Sequence, residues 1–278
     1  MGEGPGFPSN PEGEIPPSAP EGGPPSPGRV IGPMSGGQLL QRAVNLYLDH
    51  WKVFVGIVAV VIVPFTFLQA FLAASGMASF KPGVIPSPEI VFRALGPGLI
   101  ALVLAFLVTS LVTAASTRAA ADIYLGRQVT LRGVYGLALD RLGPMLVALF
   151  LAGLIVVGGF FLLIIPGILF LVRVGFVPAA VMLEGAGGTE AIRRSWRLAK
   201  GDGWRIFGIL LSTIIISGVV GFLLSFPFGR LARAMGAGGW WLAAFGEALA
   251  NVVTTPFGAI VFVLAYFDLR IRKEGLDP

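Results

Sequence analysis

Two ionisable side chains, Arg173 and Glu247, stand inside otherwise apolar stretches of this chain. A charge among lipid tails is costly, so such residues pair, reach water or serve a ligand. Arg173 follows the Pro166-Gly167 dipeptide by about six residues, roughly 9 Å of helical rise. Glu247 follows the aromatic anchor Trp240-Trp241 and reaches a similar depth. The spacing predicts an ion pair between Arg173 and Glu247. The alternative is that Arg173 snorkels to headgroups while Glu247 is protonated or meets water.

Glu247 also begins a polar stripe: Glu247, Asn251, Thr254 or Thr255, then Gly258. Steps of three and four place these on one helix face. Thr109, Thr113 and Ser116 form a similar stripe upstream. Small and polar residues on one face make helix contacts; the same face could line a route for a solute. Pro178 and Pro256 predict irregular helices, and broken helices can hold ligands. Between Thr189 and Lys200, Thr189 is placed to cap a helix with Glu190 in its first turn. Arg193, Arg194, Arg197 and Lys200 then face anionic headgroups, and Ile192, Trp196 and Ala199 face acyl chains. Those cations either set topology with nonspecific lipid contact or form a specific lipid site.

Other chemistries find no residues. The chain has no cysteine and one histidine, His50, so thiolate metal sites, cysteine nucleophiles and two-histidine metal sites are excluded. His50 beside Trp51 reads as an interfacial residue. No serine elbow and no glycine-rich phosphate loop is present. No catalytic residue, metal site or cofactor is expected.

These side chains must be positioned by membrane-spanning helices. Of 278 residues, 55% are hydrophobic and only 13% charged, about half the charge a soluble domain needs to solvate its surface. The apolar residues come in runs near the roughly 20 that cross a hydrocarbon core. Six spans are predicted: Val53 to Ala74 with a kink at Pro64, Gly98 to Ala121, Pro144 to Ile165, Gly167 to Leu183, Trp204 to Phe226, and Leu242 to Phe267. The third and fourth read as a tight hairpin turning at Pro166-Gly167, with a re-entrant element left open. Residues 1–33 are rich in Pro, Gly, Ser and Glu and predict a disordered tail rather than a signal peptide. Residues 36–52 predict an amphipathic helix in the inner interface. The domain reading is thus a tail over 1–33 and a six-span domain over 34–278.

Basic residues set the orientation. Arg29, Arg42, Lys52, Arg118, Arg127, Arg132, Arg141, Arg193, Arg194, Arg197, Lys200, Arg205, Arg270, Arg272 and Lys273 fall on one side; Lys81, Arg93, Arg230 and Arg233 fall on the other. Both termini are therefore expected in the cytoplasm, in the plasma membrane. The net charge of +5 reads as contact with the bilayer's anionic cytoplasmic headgroups and not with nucleic acid. The approaches to the odd-numbered spans resemble one another. Asp49-His50-Trp51-Lys52-Val53-Phe54 parallels Asp202-Gly203-Trp204-Arg205-Ile206-Phe207, which predicts three repeated units, each an interfacial helix and a hairpin. Repeats in membrane proteins often place a binding site at their interface.

Three segments carry a family resemblance: residues 29–57, residues 164–210, and the ending AYFDLRIRKEGLDP. In the second, the Pro-Gly, Arg-Ser-Trp and Gly-x-x-Trp-Arg elements fall in order. They resemble the bacterial membrane domain attached to some glycerophosphoryl diester phosphodiesterases, which also occurs alone in largely uncharacterised multi-pass proteins. The resemblance implies an all-α membrane domain over residues 29–278. It implies no phosphodiesterase activity, because the paired histidines and carboxylates of the soluble enzyme have no counterpart here. Two functions fit: a non-enzymatic membrane-organising or partner-binding protein, and a transporter or permease for a lipid-like or small solute. A bundle packed solid favours the first. A cavity reaching the midplane favours the second.

Overall fold

The computed structural model describes residues 34–77 and 88–275. The expected disordered tail over 1–33 lies outside the described residues. From Met34 onward the described chain is helical, with no strand among those residues. α1 (Gly36–Asp49) opens with a Ser35 capping box, in which Ser35 accepts from the Gln38 N–H and the Gln38 side chain accepts from Ser35 N–H. α2 (Trp51–Met77) contains Pro64, α3 spans Pro88–Tyr124, and α4 (Leu131–Asp140) is capped by Thr130. α5 (Leu142–Leu162) and α6 (Ile164–Val174) form a hairpin; α7 (Val177–Glu184) and α8 (Gly188–Ala199) follow. α9 (Gly203–Ala234) and α10 (Trp240–Glu274) are joined by a 3-10 turn over Gly236–Gly239.

Six segments are long and apolar enough to cross a membrane: Trp51–Ala74, Gly98–Tyr124, Leu142–Leu162, Ile164–Glu184, Gly203–Ala234 and Trp240–Glu274. Large apolar side chains cover their outward faces, among them Leu102, Val103, Phe161, Ile215 and Leu223. A surface of that kind belongs in lipid. The bundle has a basal end, where α1, α4, α8 and the C-terminal turns of α10 gather. α10 is the central strut. It packs against α9, α2, α3 and α1, and an unbroken buried run, Val263 to Leu269, lies near its basal end.

The third-to-fourth span hairpin forms, but its turn is Leu163, not Pro166-Gly167. Leu163 is extended, with φ −170° and ψ 160°. Pro166 falls in the first turn of α6, where a missing N–H costs no helical bond. Gly167 serves packing instead. A Cβ there would lie 2.5 Å from the Phe160 ring, so its absence lets α5 and α6 close together. The second arm is no re-entrant stub: it breaks at Gly175-Phe176 and continues to the base as α7.

Short amphipathic helices precede three of the long ones: α1 before α2, α4 before α5, α8 before α9. The matching approaches are used differently. Trp51 and Trp204 are both exposed, yet Lys52 lies over the Trp51 ring while Arg205 reaches an aspartate on α10.

Candidate functional site

The last turns of α10 tie the base together. Asp268 has a fully buried side chain. It accepts from the Met34 N–H at 2.7 Å, from Arg205 at 2.6 Å and from Arg272 at 3.0 Å. Both arginines also donate to the Met34 carbonyl, at 2.6 and 2.7 Å. The start of α1, the first turn of α9 and the end of α10 are thus held by one carboxylate. Two residues on, Arg270 approaches Glu184 at 3.6 Å. Arg194 donates to both Glu184 and Glu274, and the Tyr266 hydroxyl donates to Glu184. Lys273 pairs with Asp202 at 2.8 Å and donates to the Leu198 carbonyl.

Arg194 is therefore not a headgroup contact. Its side chain is 17% exposed, and hydrogen bonds to Glu274 and then Glu184 push its pKa up. It projects from the inward face of α8 with Ala191, Ser195 and Leu198, while Arg193 and Arg197 occupy the exposed face and Lys200 is exposed just beyond the helix. Ala199 belongs to the buried face too, 3% exposed, against protein and not acyl chains. Nor is Thr189 the cap. α8 starts at Gly188 with Gly187 as N-cap. A Cβ on Gly188 would meet Val147 at 2.6 Å, so that helix start seats against α5 only as glycine.

The α6–α7 break exposes backbone groups at membrane depth, which is tolerated only where protein satisfies them. Pro178 has no N–H to offer the carbonyl four residues back. Ser195 satisfies two neighbouring groups at the break: its hydroxyl donates to the Arg173 carbonyl at 2.6 Å and accepts from the Phe176 N–H at 3.2 Å. Beside it the Arg173 guanidinium lies over the Trp196 ring, 5.0 Å from its centroid, and Phe170 stacks on the same ring. Arg173 thus turns toward α8. Counted from Ile164, it lies about 14 Å along α6 from the turn rather than 9 Å. Among the described residues no ion pair joins Arg173 to Glu247; Glu247 is exposed on α10 and Asn251 half-buried. The expected ion pair is corrected because the turn comes earlier and α8 provides a closer partner.

Beside the break lies a cavity of about 530 Å³. α3 contributes Thr113, Ser116 and Thr117; α5 contributes Ala152, Gly153 and Val156. Gly175 and Pro178 form the broken wall, and α10 closes it with Thr255, Gly258 and Phe262. The two polar stripes divide on this cavity. Thr109 is exposed. Thr254 donates to the Ala250 carbonyl and faces Gly221 of α9, while Thr255 lines the space. The lining is chiefly apolar and holds no ionisable side chain. Thr255 and Phe262 lie 13 and 6 residues before Asp268, about 9–20 Å from the base by helical rise. Gly153 and Val157, both exposed, open it sideways onto the flank of α5. Phe262 packs edge-on to Phe176, which contacts Tyr266. An aromatic plug therefore separates the cavity from the charged base.

Asp268, Glu184, Tyr266 and Glu274 did not emerge from sequence reasoning. A signal was available: acids adjoin the basic residues at basal span ends, including Asp122 beside Arg118 at 2.8 Å. The resemblance motifs meet here as well. Ser195 and Trp196 hold the break, and Arg205 meets the Asp268 of the chain's ending.

Six long apolar segments, with α10 among them as the central strut and a lined space beside the α6–α7 break, define a multi-pass α-helical membrane protein. Within that class, the chain belongs to the family described as Domain of unknown function (DUF7847), whose model matches residues 53–269. That match runs from α2 through the break and cavity to just beyond Asp268. No curated protein and no solved structure matches the chain.

Proposed function

We propose that this protein is a non-enzymatic permease for a lipid-like solute, held between its second, third, fourth and sixth spans. The cavity carries this reading. Its volume falls within the 300–1,000 Å³ typical of small-molecule sites, its walls suit an apolar chain, and its side opening faces the region where lipid tails lie. The membrane-organising alternative leaves this space without a role. The basal end is read as cytoplasmic, because Arg93 near the start of α3 and Arg230 and Arg233 near the end of α9 are the described basic residues at the far end, while most of the others gather at the base. The plasma membrane is the proposed location. α1, α4 and α8 are read as interfacial helices of three related units, and Arg193, Arg197 and Lys200 as contacts for anionic headgroups. Kinship with the phosphodiesterase-linked membrane domain is proposed for the architecture alone.

The test is movement of a fluorescent single-chain amphiphile in proteoliposomes, read by bleaching with a membrane-impermeant reductant. Wild type should expose the inner-leaflet probe faster than Gly258→Leu. A Cβ at Gly258 meets no atom within 4 Å, so a side chain can start there without a clash at its base, and Gly258 lines the cavity that the leucine is meant to fill. Bleaching at the rate of protein-free vesicles would refute the permease reading.

A further inference from the structure

Hydroxyl groups inside apolar helices usually satisfy themselves by donating to the carbonyl four residues back. Thr213 and Thr254 do so here, at 2.7 and 2.8 Å. Ser116 does not. It is 1% exposed, it lines the cavity, and its Oγ has no hydrogen-bond partner. Ser110, Tyr124 and Trp196 also carry unpartnered buried polar atoms, but none of them lines this space. A buried hydroxyl without a partner costs about 1–3 kcal/mol; Ser116 borders the space, and a ligand there that drew its hydroxyl inward would relieve that cost. Thr113 and Thr117 lie within one turn of Ser116 on the same wall, and Thr255 adds a hydroxyl from α10.

We infer that this wall binds the neutral polar head of a single-chain amphiphile, an alcohol, glyceride or carbonyl-bearing lipid, and discriminates against lipids with a charged head. The inference rests on the cavity reading and names its ligand class. Hydroxyls both donate and accept, so they match a neutral hydroxyl or carbonyl. No ionisable side chain lines the space to neutralise a phosphate, and a buried unpaired charge is far more costly than a buried dipole. One wall carries hydroxyls and the α5 wall is Ala152, Gly153 and Val156, so a ligand with one polar end and one apolar chain fits the division.

The test compares two clickable photoreactive probes with the same acyl chain, a monoacylglycerol and its phosphorylated counterpart, on the full chain in neutral-lipid nanodiscs. Wild type should capture the monoacylglycerol several-fold better. Ser116→Ala should cut that capture about two- to tenfold, the worth of one hydrogen bond, and leave capture of the phosphorylated probe unchanged. Gly258→Leu and Gly153→Leu should abolish cavity labelling; a Cβ at either glycine meets no atom within 4 Å. Equal or better capture of the phosphorylated probe, or no effect of Ser116→Ala, would overturn the neutral-head inference while blocking by the leucines upheld the cavity. Capture that survives both leucine variants would overturn the cavity reading itself.

Discussion

Replacing Asp268 with alanine removes an acceptor that three donors share. The side chain is fully buried, while Arg205 and Arg272 are 22% and 33% exposed. Breaking a buried ion pair by deleting one partner costs about 3–5 kcal/mol. The Met34 N–H, left without its carboxylate, could add about 1–3 kcal/mol. Against this, both guanidinium groups keep the Met34 carbonyl and can rehydrate at the base, so the net loss falls near 3–4 kcal/mol by the same range. For a chain of this size that lowers the melting temperature by about 6–16 °C. Asp268→Asn should lose less, because its amide oxygen can still accept from Met34. The assay is fluorescence-detected gel filtration of detergent-solubilised protein after stepped heating. If Asp268→Ala melts within about 1 °C of wild type, the cluster behaves as a solvated surface pair, and the base is held by helix packing alone.

Three further outcomes are expected. Ser195→Ala removes both bonds that bridge the α6–α7 break and strands the Phe176 N–H, so the same heating assay should show a loss of about 1–3 kcal/mol. Arg194→Ala should destabilise by a similar amount, since it takes the closer of two arginines from both Glu184 and Glu274, whereas Arg193→Ala, on the exposed face, should stay within about 0.5 kcal/mol; equal effects would contradict the assigned faces of α8. In intact cells, cysteines introduced at Leu163 and Gly238 should react with a membrane-impermeant thiol reagent and one at Arg127 should not, and the reverse pattern would invert the proposed orientation.

Six long apolar helices, the amphipathic approaches and the irregularity near Pro178 were legible in the sequence, because each depends on local composition or spacing. Hydrophobic run length follows the thickness of a bilayer, and a proline removes an N–H whatever surrounds it. The position of the hairpin turn was less legible. Proline and glycine mark a turn in most contexts, yet Pro166 fits the first turn of a helix equally well, and only the packing of Gly167 on Phe160 shows which use applies. Partner choice was decided entirely by tertiary structure. Arg173 and Glu247 have matching depths in a one-dimensional count, but Arg173 turns toward Trp196 because α8 folds back against the break. Arg194 looks like its neighbours Arg193 and Arg197 until the rotation of α8 aims it at two carboxylates. The cavity likewise needs Thr113, Ser116 and Thr255 brought together from α3 and α10 across the break at Gly175. Local sequence specifies which segments are helices and which faces are apolar; the angle and depth at which those helices meet, which decide every contact at the base and around the cavity, depend on side chains far apart in the chain.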